Sequence, residues 1–361
     1  MADPVPFPYT HLVVNDIPHQ RRVRYSGTHP RRFAEKYKEH DPVRYAEEVR
    51  KIMERGKTPA GMHRSILVRE VLEVLRPQPG EIAVDATLGY GGHAQELLRA
   101  VLPGGRLLAL DVDPLELPRT EARLRALEFP PEALLVRRSN FAGLAQALAA
   151  ENLAGADVIL ADLGLSSMQI DNPERGFSFK VAGPLDLRLN PERGRPGSAW
   201  LATLDEAALV RALEDNADEP HARVIAAAVC EARRNAPINT TTEFATVIRR
   251  ALGPGSGPRA KENLDLSIRR SFQALRILVN DEFGALDAFL RLLPGCLRPG
   301  GRVAILSFHS GEDRRVKKAF QTGERDGTYA QVAPELIRPG PEETRANPRA
   351  SSAKLRWAVR A

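Results

Sequence analysis

Four short apolar runs separated by segments of helical periodicity constrain this chain more than any other feature. The runs are residues 82–85, 106–111, 134–137 and 157–162, and the helical segments between them are 93–101, 118–127 and 144–150. Strand–helix–strand alternation implies a parallel sheet with helices on both faces, which makes each strand read as a nearly continuous apolar stretch. A helix over residues 65–75, with Ile66, Leu67, Val71 and Leu75 as its apolar positions, precedes the first strand. In an open α/β sheet ligands bind just beyond the carboxyl ends of the strands. Function is therefore expected at the residues that end each run.

The fourth run ends in DLGLSSMQIDNPERGFSF, residues 162–179. It opens with an acid, two serines and a glutamine where a plain turn and helix would do. From about residue 172 to 265 the pattern is helical alone. Thr203-Leu204-Asp205-Glu206 and Thr240-Thr241-Thr242-Glu243 both fit the capping box that opens a helix. Ile225, Ala228, Val229 and Ala232 have helical spacing between them. Gly-Pro-Gly-Ser-Gly-Pro at 253–258 breaks the chain. A helix at 272–293, a turn at 294–301, a strand at 302–308 and a last strand at 354–359 resume the alternation. The expected organisation is an N-terminal extension (1–61), a first α/β part (62–171), an inserted helical domain (172–265) and a second α/β part (266–361).

Charge separates the extension from the rest. Residues 21–57 hold twelve Lys or Arg against six Asp or Glu, which equals the net charge of +6 of the whole chain. Tyr25, Phe33, Tyr37 and Tyr45 are interleaved with them. Such a segment suits RNA, through phosphate contacts and base stacking; a solvated arm packed on the domain is the other reading. Cys230 and Cys296 stand far apart without metal-ligand spacing, which argues against a disulfide scaffold or a zinc site and fits a reducing cytosol. With no signal peptide or apolar span, a cytoplasmic protein is expected, with no metal and no membrane partner.

Between the first strand and its helix lies Asp85-Ala86-Thr87-Leu88-Gly89-Tyr90-Gly91-Gly92-His93. Its glycines allow close backbone approach to a ligand at a helix start. GYGGHA also fits the dinucleotide fingerprint, so the loop alone leaves NAD and S-adenosylmethionine open. Asp85, four residues before Gly89, suits an ammonium and a sulfonium better than a pyrophosphate. Asp111 ends the second strand and suits ribose hydroxyls, as either cofactor requires. Phe141, after the third strand, is placed either to line an adenine pocket or to fill the core. Asp162 is expected beside the cofactor, orienting it or accepting from a substrate amine such as cytosine N4. Ser166, Ser167 and Gln169 add hydrogen-bonding capacity. Phe177 and Phe179 either stack on an extruded base or form one apolar face of a short strand. His309, in SFHSGED, is a substrate contact, a proton acceptor or a structural histidine. Arg314, Arg315, Lys317 and Lys318 after it suit a phosphate-contacting helix or a solvated face.

Together these segments resemble the ribosomal RNA small-subunit methyltransferase H (MraW-type) family of cytosine-N4 methyltransferases. The resemblance is carried, in order over residues 63–356, by VDATLGYGGHAQELL, LLALDVDP, SNFAGL, DLGLSSMQIDNPERGFSF, GPLDLRLNP, RRSFQALRILVNDE, PGGRVAILSFHSGEDRRVK and NPRASSAKLR. It implies a Rossmann-like class I S-adenosylmethionine-dependent methyltransferase domain carrying an inserted all-helical substrate-recognition domain. It also implies methyl transfer to N4 of a cytidine in the decoding region of 16S rRNA, with the 30S particle as partner and the oligomeric state open. By motif it assigns Gly91, Gly92, His93, Asp111, Phe141, Asp162 and Gln169 to the cofactor. Asp162, with His309 second, is the expected catalytic acceptor; the segment lacks the Pro-Pro-Tyr of DNA amino-methyltransferases. Tyr90 stands where the family has arginine, Gly311 where it has leucine, the N-terminal arm is extra, and the segment between 318 and 347 is short. These departures bear on the choice of RNA, so a paralogue acting on a different RNA cytidine is one alternative. An NAD-dependent oxidoreductase and a non-catalytic RNA-binding assembly factor are the others; Asp85 and DLGLSS oppose the oxidoreductase.

Overall fold

The computed structural model describes residues 65–255 and 257–361. The N-terminal extension, with its basic segment at 21–57, lies outside the described residues. α1 (Val68–Leu75) leads into β1 (Ile82–Asp85), α2 (Gly92–Val101), β2 (Arg106–Asp111), α3 (Leu117–Arg125), β3 (Leu134–Arg138), α4 (Leu144–Ala150) and β4 (Ala156–Asp162). The chain then passes through α5 (Ser167–Asp171), α6 (Gly197–Thr203), α7 (Glu206–Ala217), α8 (Ala222–Asn235), α9 (Thr241–Leu252) and α10 (Ala260–Asn280). It returns through α11 (Glu282–Cys296), β5 (Leu297–Ser307), α12 (Ser310–Arg325), β6 (Tyr329–Val332), α13 (Pro341–Ala346) and β7 (Lys354–Arg360).

The described strands form one sheet in the order β3-β2-β1-β4-β5-β7-β6. β1 to β5 run parallel, and β7 is antiparallel to both β5 and β6. Successive side chains of a strand point to opposite faces, and the two cores follow that alternation. Ile82, Val84, Leu108, Leu110, Ile159 and Ala161 pack with Leu286, Phe289 and Leu293 of α11 on one face. Ala83, Leu107, Ala109, Val158 and Leu160 pack on the other face with Val71 and Leu75 of α1 and with Leu97 and Leu98 of α2. A third core, with Leu213, Ile225, Val229, Phe244, Ile248, Ile268 and Phe272, belongs to α7–α10. The fold is thus a Rossmann-like sheet with a helical block inserted after β4. No helix among the described residues is long and apolar enough to cross a membrane.

Local expectations and structure part at several places. Thr240 and Glu243 form the expected capping box. At 203–206, however, Thr203 ends α6, and Asp205 caps α7 by accepting from Ala208 N–H; an aspartate directly before the helix is as good a cap as threonine. α10 continues through residue 265, because its apolar stripe (Ile268, Phe272, Leu275) is packed along the helical core. α11 includes Pro294, and β5 begins at Leu297 rather than 302. Its pairing shifts from Ala156↔Leu297 to Val158↔Arg302, so the expected turn is the irregular start of the strand.

Candidate active site

β1 lies between β2 and β4, where the strand order changes direction, and this is where an open sheet holds its ligand. A cavity of about 750 Å3 opens there, bounded by the β1–α2 loop, the strand ends and helices of the inserted block. It gathers Gly91, Gly92, His93, Asp111, Phe141, Asp162, Gln169 and His309, together with Asp85.

The first wall is the glycine loop. Gly91 has φ +81°, and a Cβ there would sit 2.9 Å from Thr120 Cγ2, so glycine is needed both for the turn and for its approach to α3. α2 starts at Gly92, and the N–H groups of a first helical turn lack intrahelical acceptors. Asp111 Oδ2 accepts from Gly89 N–H at 2.8 Å, and Oδ1 accepts from Asp113 N–H at 2.9 Å. Each oxygen retains a second lone pair for a ligand hydroxyl.

Asp85, Asp111 and Asp162 face this cavity, and among the described residues none has a Lys or Arg partner. Burial pushes Asp85 up to about 7, against the support of Thr87 N–H at 3.1 Å. Burial likewise raises Asp111 despite its N–H donors. Asp162 is pushed up to about 8, first by burial and then by the charges of Asp85 and Glu312. Its side chain keeps 28% of its surface open, but that surface faces the recess rather than bulk water. Asp162 N–H donates to Thr87 Oγ1 at 2.6 Å, which fixes the strand end. Burial lowers His93 to about 4, so its imidazole is neutral at pH 7. Its Nε2 is 3.7 Å from Asp162 Oδ2, beyond hydrogen-bond length. His93 Nε2 and Asp162 Oδ1 have no hydrogen-bond partner among the described residues. Crowded carboxyls with orphaned atoms favour a ligand that carries positive charge.

The second wall comes from α10, α11 and the β5–α12 corner. Arg276 grips Glu282 with two hydrogen bonds of 2.8 Å. Glu312 Oε2 accepts from Phe308 N–H at 2.8 Å, and Oε1 lies 3.1 Å from His309 Nε2. Burial pushes Glu312 up, but His309, that N–H and Arg276 together hold it below its ordinary value. Phe308 lies past the end of β5, next to the β4 tip: Asp162 pairs with Leu306, and a Cβ on Gly164 would sit 3.5 Å from the Phe308 ring. At Gly311, the position of the motif's leucine, a Cβ would meet Phe283 Cζ at 2.5 Å, so a larger residue requires that ring to shift. Arg315 covers the same ring, 3.6 Å from its centroid. Lys180 and Arg269, both exposed, also line the cavity and have no carboxylate partner among the described residues.

Several sequence expectations change here. Phe177 is buried in the helical core, and Phe179 stacks at 5.4 Å on Phe272; neither lines the cavity, so they serve packing rather than a base. Gln169 spends its Oε1 on Ser166 N–H, at 2.9 Å, and donates through Nε2 to Asp113 at 2.8 Å. Its amide therefore ties loops together at the cavity edge. Arg314 pairs with Asp218 of the helical block at 3.1 Å. Tyr90 lies under the guanidinium of Arg123, 3.6 Å from the ring centroid. Phe141 lines the cavity with its ring at 5.4 Å from Phe289, edge to face. Sequence reasoning missed Phe308 and the α10 residues Arg269, Gln273 and Arg276. The signal was present as polar residues four and three apart, which share one face of a helix.

The MraW methylase family model matches residues 60–361 of the chain. The chain is 53% identical over 343 residues to ribosomal RNA small subunit methyltransferase H 2 of Alkaliphilus metalliredigens, covering 95% of this chain and 98% of that one. It is 49% identical over 344 residues to ribosomal RNA small subunit methyltransferase H 1 of Lachnoclostridium phytofermentans, covering 95% and 93%. Ribosomal RNA small subunit methyltransferase H of Thioalkalivibrio sulfidiphilus is 39% identical over 318 residues, covering 84% and 98%. A match over 95% of the chain necessarily runs into the basic N-terminal extension.

Proposed function

Because the chain belongs to the MraW methylase family, we propose that it transfers a methyl group from S-adenosylmethionine to N4 of a cytidine in the decoding region of 16S rRNA. The substrate is small-subunit rRNA within the 30S particle, and the place of action is the cytoplasm. The observation that carries this reading is Asp162. It lies at the join between the glycine-loop wall and the helical wall of one cavity, with an unpartnered oxygen.

S-adenosylmethionine fits the residues present. Its sulfonium and ammonium supply the positive charge that Asp85, Asp111 and Asp162 lack. Gly91, Gly92 and His93 would hold its amino-acid end, Asp111 its ribose, and Phe141 its adenine, with Gln169 closing the edge. When bound it supplies a methyl group made electrophilic by the sulfonium.

Cytosine N4 is a weak nucleophile because its lone pair is delocalised into the ring. Orientation supplies much of the acceleration for such a reaction. Phe308, on the wall of the same cavity as Asp162, offers the base an aromatic face, and Lys180 and Arg269 offer its phosphates positive charge. The amine forms the new N–C bond as the S–C bond breaks, and becomes cationic and acidic. Asp162 in its ionised form takes the released proton, which its raised pKa equips it to hold. His309 lines the same cavity, but its Nε2 faces Glu312 at 3.1 Å, which makes it the weaker acceptor.

Mass spectrometry of 16S rRNA nucleosides, mapped to position in cells with and without the gene, tests the reading. Loss of N4-methylcytidine at the decoding region is expected, and an unchanged site overturns the target. A second reading, methylation of a different RNA cytidine, is favoured by the twelve basic residues in 21–57, in a segment that the two relatives matching 95% of the chain also cover in part. In that case the same map shows the loss elsewhere.

A further inference from the structure

Asp113 and Arg175 are 0% and 5% exposed and pair at 2.7 Å. Neither lines the cavity. Asp113 sits two residues beyond Asp111, and its N–H donates to Asp111 Oδ1 at 2.9 Å. Its Oδ1 accepts from Leu115 N–H at 2.9 Å, ordering the start of the loop into α3. Its Oδ2 takes both Arg175 Nη1 and Gln169 Nε2, at 2.7 and 2.8 Å.

Arg175 belongs to the linker that enters the helical block. Its other nitrogen, Nη2, donates to the carbonyls of Arg188 and Leu189 at 3.1 and 2.9 Å. Leu189 lines the cavity, and its N–H donates to Asn280 Oδ1 at 2.7 Å. Asn280 ends α10 and donates from Nδ2 to Leu187 O at 2.7 Å. One run of hydrogen bonds, buried at Asp113 and part-buried beyond it, therefore connects the carboxylate of Asp111 to the last turn of the longest described helix.

A buried ion pair adds little net stability over apolar packing. What the guanidinium adds is geometry, because its donors lie in a fixed planar fork. It reaches Asp113 and two carbonyls together only when the β2 loop and the linker are in register. We infer that Arg175 is a positioning residue that ties the linker of the helical block to the Asp111 loop, so that cofactor affinity and placement of the block over the cavity form one linked equilibrium. The inference rests on the proposed role of Asp111 at the cofactor.

The test uses the full chain with Arg175→Met and Arg175→Lys, S-adenosylhomocysteine as the calorimetric probe, and thermal melts as a control for folding. Arg175→Met is expected to weaken S-adenosylhomocysteine binding by about tenfold, although the side chain is outside the cavity. Arg175→Lys is expected to recover part of that loss, since it keeps the charge beside Asp113 but not the fork to the two carbonyls. Amide exchange is expected to quicken together at 111–117 and 186–190, and the KM for 30S subunits to rise more than kcat falls. A folded Arg175→Met that binds S-adenosylhomocysteine within about twofold of the parent overturns the inference, since a purely structural pair predicts only a lower melting temperature. Should Arg175→Met fail to fold, parental affinity in Arg175→Lys overturns it equally. A parent that binds the probe but methylates no small-subunit RNA sinks the substrate reading alone. A parent that binds no probe sinks both.

Discussion

On the glycine-loop side of the cavity, Asp85, Asp111 and Asp162 crowd together with no Lys or Arg among the described residues to offset them. On the helical side, Glu282 is gripped by Arg276 and Glu312 lies against His309. Burial acts on both groups, yet it raises Asp85 and Asp162 while Glu312 ends below its ordinary value. The difference lies in what each wall supplies for itself. One leaves its charge unbalanced and so favours a cationic ligand; the other is internally neutralised and suits an uncharged base.

The largest effect is expected where the two walls meet. Asp162→Asn should lower kcat by about 10²- to 10⁴-fold, the range for loss of a positioned proton acceptor, with S-adenosylhomocysteine affinity changed far less. Methyl transfer to 30S subunits measures it. Near-parental turnover with cofactor saturating would remove Asp162 from the chemistry. If its ionised form is the acceptor, the parent's rate should also rise with pH toward about 8 and then level off.

Ligand choice sharpens the comparison next. Calorimetry should show S-adenosylhomocysteine binding at least about a hundredfold more tightly than NAD, because a pyrophosphate would face uncompensated carboxylates. Tight binding of NAD alone would sink the methyltransferase reading.

Stability should separate the walls by sign. Asp162 has a folded pKa of about 8 against an ordinary 3.8, so the folded state binds its proton more tightly. Its contribution is full below about pH 4 and is lost as pH rises through about 8. Asp162→Asn should therefore be more stable than the parent at pH 8, by roughly 2 kcal/mol. Glu312 is depressed, so its contribution is present above its unfolded pKa and is lost on acidification. Glu312→Gln should destabilise the protein at neutral pH by about 1–3 kcal/mol, the cost of an impaired buried hydrogen bond. Urea titrations at pH 5 and 8 read both, and equal signs would dissolve the contrast.

An effect of similar size, confined to packing, concerns Gly311. Gly311→Ala should cost about 1–3 kcal/mol by overpacking against Phe283, and pairing it with Phe283→Leu should return part of that. Additive losses in thermal melts would show that the two side chains do not share the space.

How much was legible follows from how local each cause is. The strands and their terminal acids were readable because burial on both faces makes strands continuously apolar, so Asp85, Asp111 and Asp162 stand out as run-enders. The role of Phe179 was not readable, because an apolar residue carries the same signature facing a base or facing Phe272. The motif assigns Gln169 to the cofactor, but its engagement with Asp113 spans 56 residues and no local pattern shows it. The Gly-Pro run at 253–258 gives a strong local break, whereas α10 runs across residue 265 because its course depends on the stripe it packs with α7 and α9.

The sequence by itself determined the alternating sheet, the glycine turn and the acids at the strand ends, because periodicity, φ at Gly91 and strand termini act over a few residues. Only the tertiary structure decided which of those acids lack a countercharge and which aromatic ring, Phe308, lines the same cavity. It alone also brought Arg175 onto Asp113 across 62 residues. Desolvation, charge pairing and register between distant segments exist only once the chain has closed on itself.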